Sequence, residues 1–169
     1  MPFDVLRWLV QYLHVLSGVL WFGAGFYVSL VQLPALLTLP PPQRLPAIVA
    51  LGPRQIRYVL RIAEVTIAFG IINALLTGRL AALQTTVGTL WGWAIGLGAI
   101  LAIGLYVLLQ TRVAPAVFSI VAVARAAQQG DAATAAELPA LAQRIRTLGY
   151  VQMAIGAIVV LLMITARFN

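Results

Sequence analysis

The chain has no cysteine, no lysine and one histidine, and only four of its 169 residues are acidic. Each scarcity closes a class of function. Without cysteine there are no disulfides, no thiolate metal sites and no covalent haem attachment through a Cys-x-x-Cys-His motif. The carboxylates Asp4, Glu64, Asp131 and Glu137 form no catalytic pair, and no metal-ligand spacing, phosphate loop or Ser/His/Asp set is present. A hydrolase, a kinase or a zinc enzyme is therefore not expected.

What the chain has in abundance is hydrocarbon. Hydrophobic residues make up 62%, charged residues 9%, and the mean hydropathy is +0.99, outside the range of soluble globular domains. A helix needs about 20 apolar residues to cross the hydrocarbon core. Four stretches qualify, at about 5–33, 58–77, 87–110 and 148–166. None alternates in the manner of a barrel strand, and in lipid the backbone must satisfy its own polar groups. The expected fold is all-α: a polytopic membrane protein, a four-transmembrane-helix bundle in a single integral domain over 1–169. The N-terminus has the flavour of a signal peptide. Its apolar run is too long for one, however, and Asp4 offsets Arg7, so it reads as a retained first span.

The net charge of +7 comes from eleven arginines, and their placement sets the topology. Arg44, Arg54 and Arg57 lie between spans one and two, and Arg112, Arg125, Arg144 and Arg146 between spans three and four. Arg7, Arg79 and Arg167 lie on the other side. Seven against three puts both long connections on the cytoplasmic side and both termini outside. Trp8, Trp91 and Trp93 fall where an outer aromatic belt belongs. Because the arginines flank membrane spans, the partner they imply is the lipid bilayer and not nucleic acid. The all-arginine, alanine-rich usage points to a GC-rich bacterial genome, hence to a bacterial inner membrane.

The first connection, Pro34 to Pro53, contains Pro40, Pro41, Pro42 and Pro46. It reads as a rigid, irregular excursion with at most one short helix around Leu45–Leu51. Pro115 is expected to kink the third helix. Gly130 reads as a helix stop and Asp131 as a fresh start, with Thr134 and Glu137 matching a capping box.

The two hairpins resemble each other. Gly25-Phe26-Tyr27-Val28 is echoed by Gly104-Leu105-Tyr106-Val107, Pro34 by Pro115, and Thr77-Gly78-Arg79 by Thr165-Ala166-Arg167. In that register Glu64 faces Gln152, and Trp93 stands where His14 does. The pattern reads either as a tandem repeat of two helix hairpins or as chance similarity among apolar segments.

Few residues are left to carry chemistry. His14 lies about two turns into the first span, in the outer leaflet, followed at helical spacing by Gly18, Trp21 or Phe22, and Gly25. Small residues there admit a neighbouring backbone or a flat ligand. An ionisable residue within a span is a functional candidate by default, and imidazole is the usual axial ligand of haem b. The site this suggests comprises His14 as metal ligand with Gly18, Trp21, Gly25 and Asn73 around it. The alternative is a neutral His14 hydrogen-bonded across the bundle to Asn73. One histidine cannot build a bis-histidine haem within one chain, which leaves a five-coordinate haem, a His/Met haem using Met163, or a site shared between protomers. A second group, Tyr27, Arg61, Glu64, Tyr106 and Gln152, is expected to form an intramembrane polar layer. It reads as an anion pocket or proton path, or as a structural Arg61–Glu64 ion pair. Gly88, Gly92 and Gly96 make a small-residue stripe for close packing within the bundle, in a homo-oligomer or in a larger complex.

The first helix, Tyr12-Leu13-His14-Val15-Leu16-Ser17-Gly18-Val19-Leu20-Trp21-Phe22-Gly23-Ala24-Gly25-Phe26-Tyr27 with Val31-Gln32-Leu33-Pro34 after it, resembles the opening helix of a bacterial membrane superfamily. That group includes the HemJ-type protoporphyrinogen oxidases, the CopD-type copper-resistance proteins and the membrane domain of PuuD-type urate oxidases. Gly52-Pro53-Arg54 through Arg61-Ile62-Ala63-Glu64 looks most like the last of these. The resemblance covers roughly the first 75 residues. It implies a four-helix core with His14 facing a haem-type cofactor. The chain departs from the group in lacking a second histidine, the functional lysine by which HemJ-type oxidases resemble one another, a cytochrome domain and a methionine/histidine-rich copper segment.

The expectation is thus a small redox-associated membrane protein with a b-type haem or other porphyrin near His14. The alternative is a non-catalytic accessory subunit of a larger respiratory, photosynthetic or transport complex. A transporter ranks last, since four helices with few polar residues would have to oligomerise to make one.

Overall fold

The computed structural model describes residues 2–78, 85 and 87–168; Arg79, which enters both the topology and the repeat, lies outside them. The fold is an all-α four-helix bundle, with no strand among the described residues. Its helices are α1 (Pro2–Phe26), α2 (Leu33–Thr38), α3 (Pro41–Leu76), α4 (Leu90–Leu108), α5 (Ala114–Gln128), α6 (Ala132–Ala135) and α7 (Leu138–Arg167). Short π-helical segments, Tyr27–Gln32 and Leu109–Val113, join α1 to α2 and α4 to α5 without a break. Four long helical stretches result, Phe3–Thr38, Pro41–Leu76, Leu90–Gln128 and Ala133–Arg167, the last with a turn at 136–137, each long and apolar enough to cross a membrane. The protein is a multi-pass membrane protein.

The π segments are the chain's answer to two prolines. A proline inside an α-helix lacks a donor and its ring strikes the carbonyl four residues back. Here the helix widens just before each one. The Leu33 N–H donates to Val28 O ahead of Pro34, and the Ala114 N–H donates to Leu109 O ahead of Pro115, both five residues back. The same device occurs at both prolines. The His14 register does not repeat in the same way, because Trp93 projects outward with 67% of its surface exposed.

The proline-rich first connection is not the irregular excursion its composition suggests. Only Leu39 and Pro40 interrupt the helices there, and α3 runs unbroken through Pro46 and Pro53. An interior proline costs about 3 kcal/mol, whereas a fully buried aliphatic side chain contributes about 1.5–3 kcal/mol. Ile48 and Ile56 are both buried on this stretch, and Leu45 and Val49 pack against the core that holds Ile48, so tertiary packing offsets the propensity penalty. The second connection follows its sequence signals more closely. Gly130 takes φ +93, and the Asp131 N–H reaches back to Ala126 O at 3.1 Å, a glycine-terminated helix end. The cap of the next helix is Asp131, which accepts from the Thr134 N–H at 3.0 Å. Thr134 is therefore the partner of the cap and not, with Glu137, a capping box of its own.

Two compact units draw on all four long helices. Unit 1 comprises 1–22, 61–106 and 154–169; unit 2 comprises 23–60 and 107–153. Unit 2 holds a core of Leu33, Ile48, Ala116, Ile120, Val121, Ala124, Ala142 and Ile145. In unit 1 the buried residues are smaller, among them Ala63, Ala94, Ala166, Ser17 and Thr66, and glycines mediate the approach of helices. A Cβ on Gly98 would meet the Met163 methyl, and one on Gly156 would meet the Phe22 ring. In unit 2, Gly149 plays this part against Ser29, and Gly52 against Val121. Of the stripe singled out by spacing, Gly88 and Gly96 do not: a Cβ at either would meet nothing within 4 Å among the described residues.

Tyr27, Tyr58 and Tyr150 are all exposed on three different spans. Such amphipathic rings fit an interfacial belt. The helices continue past the tyrosines toward the arginine-rich connections.

Candidate functional site

The seam between α1 and α3 in unit 1 collects most of the first candidate group. The helices run antiparallel, and the pairs are in register: Gln11 with Asn73, His14 with Gly70, and Gly18 with Thr66. Asn73 Nδ2 donates to Gln11 Oε1. A Cβ on Gly18 would lie 3.6 Å from Thr66 Cγ2, an ordinary contact. Ser17, buried beside the seam, turns its hydroxyl onto Leu13 O at 2.7 Å, and Thr66 Oγ1 bonds Ile62 O at 2.7 Å. Neither hydroxyl is left unsatisfied.

His14 is half-buried, and its Nδ1 lies 2.9 Å from Thr66 O. A carbonyl oxygen only accepts, so Nδ1 carries the proton, and in a neutral imidazole the lone pair is then on Nε2. Gly70 makes the contact possible. The residue four positions after a helical carbonyl normally shields it with its side chain. At Gly70 a Cβ would stand 2.9 Å from His14 Cε1 and 3.2 Å from Nδ1. The imidazole occupies the space that a side chain there would fill. Among the described residues no hydrogen bond reaches Nε2. The arrangement can hold one imidazole in one tautomer and one orientation, which is what an outer-shell carbonyl does for a metal-ligating histidine.

The cross-bundle hydrogen bond of the alternative reading is present, but its acceptor is the Thr66 backbone carbonyl, which no side-chain pattern announces, and not Asn73, whose amide donates to Gln11. Trp21 is half-buried on α1. Gly25 belongs to unit 2, and a Cβ there would meet nothing within 4 Å among the described residues. Met163, the methionine considered as a second ligand, has its methyl group in the notch at Gly98.

Three members of the second candidate group meet in unit 1. Arg61 Nη1 donates to Glu64 Oε2 at 2.9 Å, and Tyr106 Oη donates to Glu64 Oε1 at 3.0 Å. Tyr106 thereby ties α4 to α3. The ion pair is no buried lock, for the Arg61 side chain is 83% exposed and that of Glu64 is 38% exposed. An arginine so placed, one turn from Tyr58, can lay its stem along apolar surface and raise its charge to the interface. Tyr27 and Gln152 lie in unit 2, Tyr27 exposed in the π segment and Gln152 half-buried on α7. Residues missed by spacing alone are Gln11, Thr66 and Gly70. Gly70 carried a usable signal, being seven residues from Ala63 and three from Asn73 on one α3 face.

No protein-family model, curated protein or solved structure matches the chain.

Proposed function

We propose that the chain is a redox-associated protein of the bacterial inner membrane that binds a b-type haem or related porphyrin through His14, with its arginine-rich connections in the cytoplasm and both termini outside. The observation that carries this reading is the Nδ1–H to Thr66 carbonyl bond, which leaves Nε2 as the lone-pair nitrogen. The donor chemistry suits haem iron, for which a histidine is a common proximal ligand. Bound there, haem would supply a one-electron carrier. The chain's own residues do the rest: Thr66 fixes the ring, Gly70 gives it room, and the Gln11–Asn73 pair flanks it. With one histidine, the chain offers a single axial nitrogen. The reading is therefore of a five-coordinate haem or one shared between two copies. The likeness of the first helix to the HemJ, CopD and PuuD-type superfamily supports the same assignment.

The test is a haem titration of the detergent-solubilised protein beside His14→Ala. Stoichiometric binding that His14→Ala abolishes is the expected result. Equal binding by both, or none by either, removes the proposal.

One observation favours a second reading, the accessory subunit. Trp93, Leu97, Ile100 and Val107 project from one side of α4, interspersed with Gly96 and Gly104, which have open space where a Cβ would be. A larger membrane complex could pack on that face, with His14 then purely structural. Co-purification of a stoichiometric partner with a colourless chain is the outcome that selects it.

A further inference from the structure

The connector-side end of unit 2 holds a half-open cavity of about 580 Å³. Its apolar wall is built from Leu45, Ile48, Ile120 and Leu138, and its two cations are Arg44 and Arg146. Asp131 also lines it, but both carboxylate oxygens are committed to Thr134, one to the N–H and one to the hydroxyl. The Asp131 carboxyl is held below the usual carboxylate range by those hydrogen bonds, those from the Thr134 side chain first. Asp131 therefore closes the turn and does not pair with either arginine. Among the described residues, Arg44 reaches only the Leu37 carbonyl, at 3.4 Å. Arg146 Nε is buried with no hydrogen-bond partner. A desolvated guanidinium N–H without an acceptor is costly, and an acceptor supplied from outside would remove that cost. Arg146 lies one turn from Tyr150, and so just beyond the level of the exposed tyrosines, at headgroup depth.

We propose that this cavity binds an anionic phospholipid, its phosphate taken by Arg146 and Arg44 and its glycerol and upper acyl carbons laid against the Leu45–Ile48–Ile120–Leu138 wall. A guanidinium pair recognises phosphate. The apolar wall is what separates a lipid from a free anion, which would gain nothing from it. Outward-facing Leu37, Leu51 and Phe118 on the same unit give acyl chains an apolar path along it. The site is independent of His14, so it stands whether or not haem binds.

The experiment is native mass spectrometry of the full chain in mild detergent, titrated separately with phosphatidylglycerol, phosphatidylcholine and inorganic phosphate. The variants are Arg44→Gln, Arg146→Gln, Arg146→Lys and, outside the cavity, the exposed Arg144→Gln. The expected result is one tightly retained phosphatidylglycerol per chain in preference to phosphatidylcholine. Retention should fall roughly fivefold for each arginine lost, from about 1 kcal/mol per basic residue near an anionic surface. Arg146→Lys should retain most of the preference, and Arg144→Gln should match the parent. Equal retention of the two lipids overturns the proposal. So does a loss in Arg144→Gln as large as in Arg146→Gln, which would mark diffuse surface charge. Displacement of the lipid by millimolar inorganic phosphate overturns it as well, in favour of a free-anion site. Should Arg146→Gln fail to fold, Arg44→Gln and Arg146→Lys still decide.

Discussion

Gly70→Ala sets two effects of opposite sign against each other, and the His14 geometry says which wins. In a helix interior alanine is favoured over glycine by about 1 kcal/mol, so propensity alone predicts a more stable protein. The added Cβ, however, would sit 2.9 Å from His14 Cε1 and 3.2 Å from Nδ1. The ring must swing by several tenths of an ångström, and it cannot do so while keeping its 2.9 Å bond to Thr66 O. An off-rotamer ring costs about 0.5–1.5 kcal/mol, and a lost hydrogen bond in a half-buried place about 0.5–1.5 kcal/mol more. Overpacking of a close contact adds to both. The net expectation is a destabilisation on the order of 1 kcal/mol after the propensity gain is subtracted. With one histidine in the chain, ring ¹⁵N NMR of histidine-labelled protein needs no assignment. The parent should show a protonated Nδ1 and a bare Nε2, and Gly70→Ala should show this tautomer lost or mixed, together with a lower unfolding midpoint. A parent spectrum with the proton on Nε2, or a Gly70→Ala protein that gains stability, would refute the reasoning.

Other expectations follow from the same contacts. Gly96→Ala meets nothing within 4 Å among the described residues whereas Gly98→Ala must displace the Met163 methyl, so thermal unfolding in detergent should show alanine's helix preference of about 1 kcal/mol as a gain for Gly96→Ala and a smaller gain or a loss for Gly98→Ala; an equal gain at both would contradict the contact. Tyr106→Phe removes the hydroxyl that ties α4 to Glu64 on α3 and should cost about 0.6 kcal/mol, the mean for an interhelical bond in a membrane protein. Glu64→Gln should change the unfolding midpoint little, because Arg61 is largely exposed and a glutamine carbonyl still accepts from Tyr106. The Asp131 carboxyl is lowered on folding by its bonds to Thr134. Its capping contribution is thus fully present above the unfolded value near 3.9 and is lost as pH falls through the lower folded value. Amide exchange at Thr134 followed from pH 6 downward should show protection that persists through about pH 4 and declines only below it; a decline that begins above pH 5 would contradict the cap.

The four spans were legible because crossing a bilayer leaves a coarse mark: long apolar runs, arginines at their ends and tryptophans at one interface. The Gly130 stop and the Asp131 start were legible because each is a local choice of backbone geometry. The proline-rich connection misled because proline counts against a helix locally, whereas burial of Ile48 and Ile56 against other helices is not visible along the chain. The glycine stripe misled for a related reason. Glycines at four-residue spacing mark a face, but only tertiary structure says whether a described neighbour meets it, as at Gly98, or none does, as at Gly88 and Gly96. His14 stood out by chemistry alone. Its partner could not, since a backbone carbonyl looks the same at every residue and is opened only by the missing side chain of Gly70. Arg61 and Glu64 were recognised as a pair from their i,i+3 spacing, yet their exposure follows from the side of α3 on which they lie.

The central claim is that His14 is held as a ligand and not merely as a packed polar residue. The most direct test is the absorption spectrum of the protein purified in mild detergent from haem-supplied cells, oxidised and then dithionite-reduced. The account predicts a Soret band with reduced α and β bands at stoichiometric level. A featureless visible spectrum from the same preparation would contradict it and leave His14 as a structural tie between α1 and α3.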